Sequence, residues 1–107
     1  MDYDIKRGWY KNIEGDLLAK MMEDVFGNVT PEGELLVSSY GVLARIEVRV
    51  LAKDKMEIVT VNRDGPSGDD EILDSKRRLN LFAEKATGFD AKTRMKRAQK
   101  KAKEGTL

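Results

Sequence analysis

Residues 35–63 constrain this chain more than any other stretch, because apolar and polar side chains alternate there across two turn signals. With Gly41-Val42 as a two-residue turn, Tyr40 pairs with Leu43, Ser39 with Ala44, Val37 with Ile46 and Leu35 with Val48. The apolar members of that set fall on one face. Glycine at the first central position suits a type II′ hairpin, whose positive φ there costs glycine nothing and whose twist matches that of the strands. A meander of this length must have one sheet face covered, and the rest of the chain supplies the cover.

A second turn falls within residues 52–56 and decides which side of the last strand is buried. An even loop, Asp54-Lys55, pairs Val50 with Val59 and Val48 with Val61; an odd one, 53–55, buries Met56, Ile58 and Thr60 instead. The even loop is preferred, because it sets β-branched residues opposite one another. The expected core then joins Val37, Ile46, Val48 and Val50 to Leu17, Met21 and Leu79. The reverse face carries Leu36, Ser38, Tyr40, Leu43, Arg45, Glu47, Arg49, Leu51 and Ile58. That is more apolar than a wet face needs, so Leu36, Tyr40, Leu43, Arg45, Arg49 and Leu51 form a candidate interface.

Around the meander, residues 3–7 alternate as a short strand that Gly8 ends, and Trp9-Tyr10 form an aromatic plug over the core edge. Asn12 is an N-cap for a helix running to Phe26, with apolar rows Ile13, Leu17, Met21, Val25 and Leu18, Met22, Phe26, and Gly27 as its stop. Val29-Thr30 is extended and residues 31–33 turn. The breaker-rich loop 62–70 leads to Asp69, Asp70, Glu71 and Asp74, whose place is a helix start; their spacing matches neither a calcium loop nor a phosphate loop. The helix over 70–87 turns Ile72, Leu79, Phe82, Ala83 and Ala86 inward. Asp90 then caps a further helix from Ala91, whose stripe of Ala91, Met95, Ala98 and Ala102 packs lightly and frays.

Strand, helix, meander, helix, helix is an α+β order: an antiparallel sheet of about five strands with two helices on one face and a basic C-terminal helix. The 107 residues divide into a single domain, 1–90, and a tail, 91–107. With no cysteine and no histidine, thiolate and imidazole chemistry are excluded, and the expectation is a protein that is not an enzyme and holds no cofactor or metal. No apolar run reaches a membrane span, and the charged start is not signal-like, so the expected location is cytoplasmic. The net charge of +1 hides an asymmetry: residues 91–107 carry seven cations against one carboxylate, +6, which leaves −5 for residues 1–90. Lys92, Arg94, Lys96, Arg97, Lys100, Lys101 and Lys103 are the candidate polyanion-binding residues, spread around most of the helix and so suited to phosphates without base preference.

The run Ser39-Tyr40-Gly41-Val42-Leu43-Ala44-Arg45-Ile46-Glu47-Val48, with 77–82 and 86–92 before the basic tail, resembles a family of small uncharacterised archaeal proteins over most of the chain. The resemblance implies a fold similar to one repeat of the TATA-binding protein, a curved antiparallel sheet backed by two helices. It implies no established activity and no catalytic residues. The chain departs from that protein in having no paired phenylalanines on the exposed face to wedge between base steps, and in placing Glu47 among its arginines. The expected function is therefore a non-catalytic protein-interaction module, with an unknown protein partner or as a homodimer. The alternative is a nucleic-acid-associated protein using its basic C-terminal helix for non-specific phosphate contact.

Overall fold

Strand β1 (Asp2–Asp4) leads through a single 3₁₀ turn (Tyr10–Asn12) into helix α1 (Leu17–Phe26). Strands β2 (Thr30–Glu32), β3 (Leu35–Tyr40), β4 (Leu43–Ala52) and β5 (Lys55–Asn62) follow, then helices α2 (Asp69–Thr87) and α3 (Ala91–Gly105). The structure is a computed structural model that describes the backbone of residues 2–105 and the side chains of residues 2–100. All strand neighbours are antiparallel in the order β1-β5-β4-β3-β2, so the first strand returns to the far edge beside the last. None of the described helices is long and apolar enough to cross a membrane.

Helices α1 and α2 close one face of the sheet. Leu18, Met22, Val25 and Phe26 of α1 and Phe82, Ala83 and Ala86 of α2 bury against Ile46, Val48, Met56 and Ile58, with the Phe26 and Phe82 rings 5.3 Å apart. The second helix thus has the inward face expected of it. The first is capped at Asp16, four residues later than the expected Asn12 cap. Gly15 sits at φ +59, a left-handed conformation that interrupts helical propagation, so Ile13 is buried from a turn while Leu17 is 44% exposed. Gly27 stops α1 as its left-handed cap.

The Gly41-Val42 turn and the Tyr40–Leu43 pair form as expected, with Gly41 at φ +53. Beyond them the register changes: Ser38 pairs with Ile46, Val37 with Glu47 and Leu36 with Val48. One extra β4 residue opposite Ser39 makes a β-bulge, which lets Leu43 and Ile46, three apart, both face the core. The cost falls on β3, whose faces swap. Leu36 and Ser38 point to the helices, whereas Leu35 and Val37 lie on the open face, correcting the expected Val37–Ile46 and Leu35–Val48 pairs.

A second irregularity between Val50 and Ala52 corrects the last strand. The turn Lys53-Asp54 is even in length, but the extra β4 residue reverses its parity, pairing Val50 with Met56 and Val48 with Ile58. Met56 and Ile58 are core and Val59 and Val61 are exposed, so the preferred even-loop pairing is overturned. At the other end, Pro31 occurs in β2, an edge strand where its missing N–H leaves no ladder bond unmade. Strand β1 is shorter than expected because Ile5 and Lys6 leave the ladder: their N–H groups donate to the carbonyls of Asp54 (2.8 Å) and Thr87 (2.7 Å). The Trp9 indole donates to the Lys85 carbonyl at 2.8 Å, which fixes this strap to the end of α2.

Candidate functional site

The bulge divides the expected interface between two faces. Leu43 is buried in the core, and Leu36 and Tyr40 pack against it on the helix side. The Tyr40 hydroxyl donates to Asp74 at 2.6 Å, and the Arg78 guanidinium stands 5.4 Å above its ring. Only Arg45, Arg49 and Leu51 remain on the side away from the helices, joined by Leu35, Val37, Val59 and Val61, which parity had assigned inward.

Both arginines of this open face are matched by carboxylates. Arg45 bonds Glu47 at 2.7 Å and Glu32 at 2.9 Å, while Arg49 reaches Glu57 at 3.3 Å and Glu34 at 4.0 Å. Hydrogen bonding from Arg45 holds the Glu32 carboxyl below its usual range, and Glu32 and then Glu47 raise Arg45 in turn. Four carboxylates around two guanidiniums leave the face acidic, which opposes a phosphate backbone. The loop carboxylates behave as helix-start residues. Asp69, Asp70 and Glu71 lie in the first turn of α2, and Glu71 pairs with Arg63 at 2.7 Å.

At the opposite end, α3 begins on its expected cap. The Asp90 carboxylate accepts the Thr93 N–H at 2.8 Å, and that bond holds its carboxyl below the usual range. The face that packs is not the expected one: Met95 is 63% exposed and Ala91 and Ala98 are exposed, whereas Arg94 is 9% exposed. Arg94 donates to the Phe89 carbonyl at 2.6 Å and to Asn80 at 3.2 Å. Arg97 pairs with Asp4 at 2.9 Å and lies 4.5 Å over the Phe89 ring. Arginine seats the helix because its stem covers apolar surface while its forked head meets carbonyl and carboxylate oxygens that alanine would leave unpaired.

Two of the seven candidate polyanion residues are therefore committed within the protein. Lys92, Lys96 and Lys100 are exposed, and their spacing of four sets them on one ridge away from the packed arginines. Among the described residues, that ridge is the part of the helix's spread charge left free of internal pairing. The side chains of Lys101, Ala102 and Lys103 lie outside the described residues.

Beside α3 is a site that sequence reasoning missed. An open cleft of about 730 Å³ lies between the strap after β1, the β4–β5 turn and Arg97. Lys6, Arg7, Lys11 and Lys53 line it and are exposed; among the described residues none of the four is in an ion pair. Among the described residues Glu14 and Asp54 are the only carboxylates in its lining, and the half-buried rings of Tyr10 and Phe89 complete it. Its cations come from three distant segments that the β1–β5 pairing, the Ile5–Asp54 bond and the α3 contacts bring together. The adjacent Lys6-Arg7 pair was the one visible signal.

A protein-family model described as "Domain of unknown function (DUF5611)" matches residues 1–100. Among solved structures, the NMR solution structure of a hypothetical protein from Thermoplasma acidophilum is similar. It is 31% identical with a TM-score of 0.60, and the match covers 91% of this chain and 95% of that one. No curated protein matches the chain.

Proposed function

We propose, for a chain that belongs to the DUF5611 family, a non-catalytic binding role in which the cleft beside α3 holds the phosphate backbone of a nucleic acid. The observation that carries this is the segregation of charge. Lys6, Arg7, Lys11 and Lys53 stand around one concavity outside any ion pair among the described residues, and the Lys92, Lys96, Lys100 ridge rises on the helix that walls it. Cations already matched to carboxylates gain little from a polyanion; unmatched ones release its counterions and bind it. The five-stranded sheet backed by two helices supports likeness to one repeat of the TATA-binding protein, but the acidic open face argues against DNA lying across the sheet.

The test is fluorescence anisotropy of labelled oligonucleotides over a salt series. Binding should weaken linearly on a log-log plot, and K6Q/K11Q/K53Q should reduce the slope by about 2 on single strands if each lysine meets one phosphate. An unchanged slope with that variant would remove the cleft from the account.

The open face supports a second reading, a protein-interaction module with an unidentified protein or a second copy of this chain as partner. Leu35, Val37, Leu51, Val59 and Val61 form its apolar part around the ion-paired arginines. Sedimentation at rising concentration tests the homodimer: self-association that V59K abolishes supports it, and a monomer throughout opposes it.

A further inference from the structure

We infer that the cleft takes a single-stranded nucleic acid, with phosphates against Lys6, Arg7, Lys11 and Lys53 and bases stacked on Tyr10 and Phe89. This rests on the nucleic-acid reading and narrows its ligand. The two rings are recessed among the cations, not raised on a convex surface. A duplex keeps its base faces stacked on one another, so its backbone would touch the rim and leave both rings unused. A single strand can turn bases into the cleft, and every base offers a π-face. The volume of about 730 Å³ is that of a site for a small molecule, with room for a base.

Tyr10 packs partly against the core and Arg97 covers one face of Phe89, so a base meets the half-exposed remainder of each ring. Trp9 is occupied, its N–H bonded to Lys85 and Lys6 standing 5.8 Å over its ring. Among the described residues neither Tyr10 nor Phe89 pairs with another aromatic ring. Arg97, held at 4.5 Å over Phe89 by its bond to Asp4, adds a flat guanidinium to the same wall, a surface that also stacks on bases.

The experiment compares a fluorescein-labelled twelve-residue oligo-dT with the duplex it forms with oligo-dA, using the full chain and Y10L/F89L. Leucine keeps apolar bulk at both positions and removes the rings; circular dichroism and a thermal melt confirm that the variant folds. The single strand should bind at least about tenfold tighter than the duplex, and Y10L/F89L should lose about tenfold on the single strand with its salt slope unchanged. A 2-aminopurine placed in the strand should change its fluorescence on binding the unaltered protein, which tests stacking independently of any variant. Equal or tighter duplex binding, an unaltered affinity of the folded variant, or a silent 2-aminopurine overturns the inference while leaving the cleft as a phosphate site. Failure of the unaltered protein to bind either form overturns the reading beneath it.

Discussion

Replacing Gly41 by alanine should open the joint between the β3–β4 hairpin and α2. The added Cβ would overlap the Ser75 hydroxyl oxygen, which accepts the Val42 N–H at 3.0 Å and donates to the Glu71 carbonyl at 2.8 Å. Relief, by rotation of the Ser75 hydroxyl or a lift of the hairpin, leaves the Val42 N–H unpaired at a buried site, a loss of about 1–3 kcal/mol. The positive φ of 53° adds about 1–2 kcal/mol for any residue with a Cβ. Gly41→Ala should therefore cost about 2–5 kcal/mol, a large part of the roughly 5–15 kcal/mol that holds a domain folded. Urea unfolding followed by the fluorescence of Trp9, the single tryptophan, measures it. In a Ser75→Ala background the overlap is gone, since the Ser75 Cβ lies 3.5 Å from the added carbon. The same substitution should then cost only its backbone strain, about 1–2 kcal/mol. A Gly41→Ala cost below about 0.5 kcal/mol, or the same cost in both backgrounds, would refute the packing argument.

Phe82→Ala removes a fully buried ring packed on Phe26 and should cost about 3–5 kcal/mol in the same unfolding assay, whereas Val61→Ala on the open face should stay within about 0.5 kcal/mol. Asp90 titrates below its usual value, so its support of α3 is complete above the unfolded-state value and is lost as pH falls through the folded one. Helicity followed by circular dichroism should accordingly hold at neutral pH and drop only in acid, and Asp90→Asn, which keeps the cap acceptor, should lose that acid step.

What was legible in the sequence was local. Gly41-Val42 specified its hairpin, Gly27 the end of α1 and Asp90 the start of α3, because each needs only a few neighbouring residues. Parity failed along β4, since an argument from alternation assumes an unbroken ladder and two extra residues break it. The visible trace was Leu43 and Ile46, both apolar but three apart. The helix pattern over 13–26 concealed Gly15, whose left-handed φ outweighed the apolar rows around it. In α3 the apolar stripe suggested a packing face, but Arg94 and Arg97 pack instead, because their acceptors are on Phe89, Asn80 and Asp4. The cleft was illegible for the same reason: residues 6–11, 53 and 97 are neighbours only once β1 lies beside β5.

The central claim is that a nucleic acid lies in the cleft and not across the sheet, and the most direct measurement is amide chemical-shift mapping of the full chain titrated with the oligo-dT strand. The account predicts changes clustered at Ile5, Lys6, Arg7, Tyr10, Lys11, Lys53 and Phe89, with the amides of Val37, Glu47, Val59 and Val61 unmoved. Changes centred on those four open-face residues, with the cleft silent, would contradict it.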